Sequence, residues 1–371
     1  MVLLLIIALF FLDYTVLIIY YGIKWASIKP PPVVEIKTYP RFSIIVPARN
    51  EEDNISALLN AIQQQAYPKD FYEIIVVDDG STDGTRERLK FFQEIKCIEL
   101  PNDHTNSGKK RAIEAGVAAS INEWIVTTDA DCIPGKNWLS AIAGYIHLRD
   151  PVFIAGPVHM QAAPTILGIF QEMDFMILQA ITGAAASANQ LSMCNGANLI
   201  YQKKAFEKVE GFKDIDHIAS GDDMLLMYKI WKKFPGRVVY LKSKEAIVET
   251  KGQMTWANFF NQRIRWASKA RSYQDKRILP VLIVVYLFNL AFLVLAIAAT
   301  IDPFYWCWLL VALVAKTVVE LPLFIGAASF FGRTQLALFY FIFQPLHILY
   351  TIVSGVFGQL GKYEWKGRKV R

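Results

Sequence analysis

Cysteine is scarce in this 371-residue chain. The four present, Cys97, Cys132, Cys194 and Cys307, follow neither a metal-binding nor a pairing pattern, which excludes a disulfide framework and leads us to expect reduced thiols. No GxGxxG follows the first strand-like run, and this counts against a dinucleotide-dependent oxidoreductase. A phosphate loop is also missing. Gly108, Lys109 and Lys110 have no Ser or Thr after the lysine and no glycine five positions before it. Charge of either sign is limited, with 39 basic and 33 acidic residues and a net charge of +6. The basic residues gather near the apolar segments, a pattern that fits anionic lipid headgroups or phosphate ligands and not nucleic acid.

What the chain has in excess is apolar sequence, 54% of it, collected at the two ends. Residues 2 to about 23 are broken only by Asp13 and are long enough to cross a bilayer. Without a basic start or a small-residue cleavage site, residues 1–24 read as a retained anchor. Lys24 and Lys29 follow, so the positive-inside tendency puts the next segment in the cytoplasm. Lys29 opens KPPP, a stiff spacer. Residues 279–360 form three further blocks, about 279–300, 305–330 and 335–360, broken by Ile301, Asp302 and Pro303 and by Gly332 and Arg333. Three spans would leave the C-terminus outside, whereas the 361–371 tail with Lys362, Lys366, Arg368, Lys369 and Arg371 argues for inside. Pro322 and Pro345 allow one block to re-enter or lie at the interface, which leaves the topology open. Lys316 and Glu320 within a block either mark a transport path or, at i,i+4 spacing, neutralise each other.

Between residues 41 and 250 strand-like runs alternate with helical ones, which predicts an α/β domain with an open, mostly parallel sheet. Phe42 to Val46 is the first strand. It ends at Pro47, Ala48, Arg49, Asn50 and Glu51, and a helix is expected over about 53–66. The second, Tyr72 to Val77, ends in Asp78 and Asp79. A third, Trp124 to Thr128, ends in Asp129 and Asp131. Ligands of open α/β sheets sit beyond the carboxyl ends of strands, so these three acidic ends define one candidate site. In extended backbone Asp129 and Asp131 project to the same side, suited to a magnesium-like ion and an attached diphosphate. Lys109 opens a helix of about 109–120, able to touch a phosphate or to form a solvated face.

PARNEE, VVDDGSTDGT, GKKRAI and TDAD, in this order and spacing, resemble the nucleotide-binding half of the family 2 glycosyltransferases with the GT-A fold. The resemblance implies a UDP-sugar donor, with Asp79 and Asp78 near the uracil, Pro47, Ala48 and Glu51 lining the same pocket, and Asp129 at the ribose and diphosphate. It implies Asp131, with Asp129, as ligand to Mg2+ or Mn2+. Arg49 departs from a place often filled by tyrosine, and its planar guanidinium can also stack on a base.

A further strand is expected over Pro151 to Val158, then a helical stretch from Pro164 to Asn189 interrupted by Gln171, Glu172 and Asp174. It is either core packing or a membrane-surface helix. The small-residue loop Cys194 to Asn198 suits close approach of a sugar, with Asn195 and Gly196 as acceptor-side candidates. Ser220, Gly221, Asp222 and Asp223 precede a helix of about 223–234. The resemblance makes Asp223 the general base and places Asp222 on the acceptor side; helix capping is compatible with both. His217 has nothing to support a role. Gln262, Arg265 and Trp266 spell QxxRW in the amphipathic segment 251–278, and at i, i+3 and i+4 they share one helix face. The resemblance ties this motif to membrane-embedded relatives, with Arg265 on the departing diphosphate and Trp266 on the acceptor.

The expected activity is inverting transfer from a UDP-sugar to a membrane-associated lipid or glycan acceptor, most simply a lipid. A processive synthase of the hyaluronan, cellulose or poly-N-acetylglucosamine type is the alternative, and a transporter with a nucleotide-sensing domain a third. The expected setting is a multi-pass protein of a bacterial cytoplasmic membrane, in contact with its lipids, with the catalytic domain in the cytoplasm.

Overall fold

A computed structural model describes residues 2–32, 34–101, 108–161, 163–190, 193–218, 221–269, 275–360, 363–365 and 368–370. Ser220 and the tail residues Lys362, Lys366 and Arg371 lie outside the described residues. The chain forms two compact units, one of residues 29–161 and 191–251, the other of residues 1–28, 162–190 and 252–371.

The described residues of the first unit form, in chain order, the strands β1 Phe42–Ala48, β2 Tyr72–Asp78, β3 Lys96–Glu99, β4 Trp124–Thr127, β5 Cys132–Pro134, β6 Phe153–Ala155, β7 Val158–Gln161, β8 Leu199–Gln202, β9 Val238–Tyr240 and β10 Val248–Lys251. The main sheet has the order β3-β2-β1-β4-β8-β6-β9, and β5-β10-β7 form a small second sheet. The pairs β1/β2, β2/β3 and β1/β4 are parallel, while β8 runs antiparallel to both β4 and β6. Sequence dictates the centre. In β1 and β4 nearly every residue is buried, as expected of β-branched runs covered on both faces, and helix Gly108–Ala119 packs against β1 and β2.

Topology then positions the site. From β1 the chain moves outward to β2 and β3, then returns to β4 on the other flank of β1. That reversal opens a crevice beyond the carboxyl ends of β1 and β4. Because β8 is antiparallel with Leu199 opposite Thr127, the loop that enters β8 arrives at the same rim.

The expected strand over Pro151 to Val158 is two strands in different sheets. The chain breaks at Gly156 and Pro157, where Asn198 crosses it. This fully buried amide donates to Pro157 O at 2.9 Å and Ala246 O at 2.8 Å and accepts from Trp138 Nε1 at 3.1 Å. A Cβ on Gly156 would overlap the Asn198 side chain.

Among the described residues of the second unit four helices are long and apolar enough to cross a membrane: Val2–Ser27, Ile278–Ile301, Phe304–Phe331 and the stretch Thr334–Leu360. Both Pro322 and Pro345 lie inside helices that continue through them. Helix Ile166–Ser187 belongs to this unit, and its polar interruptions have partners there. Gln171 exchanges hydrogen bonds with the backbone of Gln253, Glu172 meets Arg333 at 2.5 Å, and Asp174 meets Arg263 at 2.8 Å. Lys316 and Glu320 neutralise each other at 2.6 Å, and Gln344, Tyr14 and Tyr340 complete a buried network around them.

Gly156→Ala tests the crossing at Asn198. Because the amide is pinned by three bonds, overpacking should destabilise the first unit by about 1–3 kcal/mol, read as a lower midpoint in chaotrope unfolding of the detergent-solubilised protein. An unchanged midpoint would show that the amide yields.

Candidate active site

The loops after β1 and β2 are tied together before any ligand is considered. Asn50, in the left-handed region at φ 53°, donates its backbone N–H to Ser81 Oγ at 2.9 Å and accepts from Thr82 N at 2.8 Å. Glu51 N donates to Thr85 Oγ1 at 2.8 Å. The carbonyl of Glu51 then accepts from Asn54 and Ile55, which starts the following helix at Ile55 and not at 53.

The adjacent aspartates after β2 have different environments. Asp78 is fully buried, and its carboxylate takes Arg86 Nε at 2.7 Å and the backbone N–H of Ser81 at 3.2 Å. These bonds brace the loop. Asp79 instead faces cations: Arg111 Nη2 reaches its Oδ1 at 2.7 Å, and Arg49 Nη1 lies 3.6 Å from its Oδ2 and donates to its carbonyl at 2.7 Å. Arg49 is thus anchored at the position where a base-stacking group was expected.

Asp129 and Asp131 lie beyond the end of the strand. β4 ends at Thr127, and Cys132 N donates to Asp129 O at 3.1 Å, closing a turn. Lys109 Nζ binds Asp129 Oδ1 at 2.6 Å and Asp222 Oδ2 at 3.2 Å. Burial by itself would lower the pKa of this ammonium, but Asp129 and Asp222, with Asp223 behind them, raise it above the ordinary lysine value, so it stays charged. Gly196 lies against the same group: a Cβ there would stand 3.0 Å from Lys109 Nζ, 3.2 Å from Asp222 Oδ2 and 3.8 Å from Asp223 Cβ. Asn195 Oδ1 accepts Ala197 N at 3.0 Å and shapes that loop. Asp223 precedes helix Met224–Lys233, accepts Met224 N at 2.7 Å and is 9% exposed. Lys109, Asp129, Gly196, Asp222 and Asp223 are therefore one constellation, and Arg49, Asp79 and Arg111 a second held by the same helix, Gly108–Ala119.

Lys109, Lys110 and Arg111 do not form a solvated face, since each is engaged with a different part of the first unit. Lys110, 3% exposed, donates to Ile215 O at 2.5 Å and Ile218 O at 2.6 Å. Lys229 holds the same loop through Gly211 O and Lys213 O at 2.7 and 2.8 Å. The 211–218 segment leading to the acid pair is fixed by lysines, a role that only the run of three adjacent cations hinted at. His217 is exposed on this segment beside Asp216.

Among the described residues no three His, Cys, Asp or Glu side chains gather as a metal cage. The carboxylates of Asp129 and Asp131, both half-buried, fit the other mode of holding a magnesium-like ion, in which one or two carboxylates share it with substrate phosphates.

Gln262, Arg265 and Trp266 lie on helix Trp256–Ser268 of the second unit and are half-buried. The most buried cation of that helix is Arg263, which the motif passes over.

Lys110→Met should free the 211–218 segment, costing about 1–3 kcal/mol for two carbonyls that lose a charged donor. Hydrogen exchange should rise in 211–218 and stay unchanged in β1. Equal protection in both proteins would contradict the clamp.

Residues 43–210 match the family described as Glycosyl transferase family 2. The chain is 28% identical over 245 residues to "Probable glycosyltransferase YdaM" of Bacillus subtilis, covering 62% of this chain and 56% of that protein. It is 38% identical over 188 residues to "Glycosyltransferase AglE" of Haloferax volcanii, 50% of this chain and 60% of that one. It is 24% identical over 232 residues to "Poly-beta-1,6-N-acetyl-D-glucosamine synthase" of Staphylococcus epidermidis, 61% and 53%. The chain thus spans between 53% and 60% of the length of these relatives. Among solved structures, "Mannosyltransferase PcManGT from Pyrobaculum calidifontis in complex with GDP-Man and Mn2+" has a similar fold, with TM-score 0.59 and 22% identity over 96% of this chain and 98% of that chain.

Proposed function

We propose that this chain, whose residues 43–210 match glycosyl transferase family 2 and whose first unit has the GT-A fold, moves a sugar from a nucleoside diphosphate donor to a membrane-associated acceptor. The observation that carries the reading is the Lys109 ammonium joining Asp129 to Asp222. One side chain links the strand end assigned to the donor diphosphate with the acid pair assigned to the acceptor.

In this reading Asp79, with Arg49 and Arg111, frames the nucleoside, Glu51 borders it, and Asp78 braces the loop. A divalent cation, Mg2+ or Mn2+, held by Asp131 and Asp129 would neutralise the diphosphate. Asp223 takes the proton of the acceptor hydroxyl as the new bond forms, its carboxylate oriented by the helix it caps. Lys109 holds positive charge beside the departing diphosphate. For Gln262, Arg265 and Trp266 the support is the resemblance alone, which assigns the amide and the ring to the acceptor and the guanidinium to the diphosphate. A single displacement inverts the anomeric carbon.

UDP is the nucleotide implied by the resemblance of the sequence motifs. GDP is the second reading, favoured by the nucleotide bound in the Pyrobaculum mannosyltransferase. For the acceptor, the four long apolar helices support a lipid, and the Staphylococcus polymer synthase among the relatives supports a growing glycan. We place the protein in a bacterial cytoplasmic membrane with the first unit on the cytoplasmic side.

Membranes containing the protein, incubated with radiolabelled UDP-glucose, UDP-N-acetylglucosamine or GDP-mannose and Mn2+, should release the nucleotide from one donor. One or two sugars in the organic phase would mark a lipid acceptor, and a long water-soluble chain a polymer. Asp223→Asn should lower turnover by about 10²–10⁴-fold with donor binding kept. Undiminished turnover, or retention at the anomeric carbon, would defeat the mechanism.

A further inference from the structure

The second unit holds a buried charge that the proposed mechanism does not use. Arg263 is 3% exposed on helix Trp256–Ser268. Its Nη2 meets Asp174 Oδ2 at 2.8 Å, with both side chains almost wholly buried. Asp174 is held in turn by Tyr350, whose hydroxyl donates to Oδ1 at 2.5 Å. The guanidinium carbon lies 4.2 Å from the Trp266 ring centroid and 4.8 Å from that of Phe259. Its Nη1 donates to Gln262 Oε1 at 3.2 Å. Arg263 therefore touches two of the three residues of the QxxRW pattern, although it occupies a position the pattern leaves free.

The chemistry explains why this position matters. A tryptophan ring on a helix turns about two side-chain torsions, and a half-buried ring keeps that freedom unless something fixes one face. A guanidinium does so while staying ion-paired with a carboxylate, because it is planar and spreads its charge over several N–H groups. Asp174 and Tyr350 come from two other helices, Ile166–Ser187 and Tyr340–Leu360. The ring's orientation is thus referred to the helix framework of this unit.

We infer that Arg263, held by Asp174, is a positioning residue that fixes the Trp266 ring and the Gln262 amide for the acceptor's sugar. The acceptor part rests on the function proposed above; the positioning part does not. The test uses full-length protein in nanodiscs labelled with 5-fluorotryptophan, the Trp266 resonance being assigned with Trp266→Phe. In the wild type this resonance should be a single narrow line that moves on titration with n-octyl β-D-glucoside, a sugar on an alkyl chain. Arg263→Lys should shift and broaden the line and raise the half-saturating glucoside concentration by at least about tenfold, as expected when a desolvated cation–π contact is lost. Arg263→Met leaves Asp174 uncompensated and is prone to misfold, so the double variant Arg263→Met with Asp174→Asn, which removes both charges, accompanies it and should behave as Arg263→Lys does. A Trp266 line unchanged in position and width in Arg263→Lys and in the double variant overturns the inference. A line that broadens in the variants while the glucoside moves nothing in the wild type keeps the positioning role and overturns the acceptor assignment.

Discussion

One ammonium group sits where the first unit would otherwise be unstable. Asp129 ends β4, and Asp222 and Asp223 precede a helix almost a hundred residues later in the chain. Brought to one rim without a counter-charge, these carboxylates would repel each other in a partly desolvated crevice. Lys109 lies between them, 2.6 Å from one and 3.2 Å from the other. Its helix is where the charges are settled: Lys109 for the acids, Lys110 for the carbonyls of the preceding loop, Arg111 for Asp79. Successive residues on a helix point about 100° apart, so three adjacent cations can serve three different loops.

The reversal of strand order at β1 is what brings those loops together. Parallel strands with crossover helices place their carboxyl ends on one side, and the antiparallel β8 delivers the 194–198 loop to the same side by its opposite end. Gly196 is constrained by this crowding and not by backbone conformation, since any side chain there would press on Lys109 and Asp222.

Much of this was legible in the sequence, and the reasons are local. β1, β2 and β4 announce themselves as short β-branched runs ending in acid or amide. The long helices announce themselves by length and apolarity. The short strands β3, β5, β7, β9 and β10 did not, because three or four residues carry no periodicity that separates a strand from a loop. The break at Gly156 and Pro157 depends on Asn198, forty residues away, which no local pattern records. At the site, residue types were readable but their partners were not. The two aspartates after β2 look equivalent as text, yet Arg86 claims one and Arg111 the other. The spacing of Asp129 and Asp131 suggested extended backbone, whereas the bond from Cys132 N to Asp129 O makes it a turn.

The second unit applies the same electrostatics under stricter conditions. A lone charge among apolar helices is costly, and every buried one described there has a counter-charge or several hydrogen bonds. The choice of cation follows from the geometry. Lys109 must fit between carboxylates on separate loops, which suits a compact ammonium on a flexible stem. Arg263 must pair with a carboxylate while lying over a ring, which suits a planar guanidinium. Exchanging lysine and arginine would keep the charge at either place and lose the arrangement. At 109 the larger fork would crowd Gly196, and at 263 the ammonium could satisfy Asp174 or Trp266 but not both.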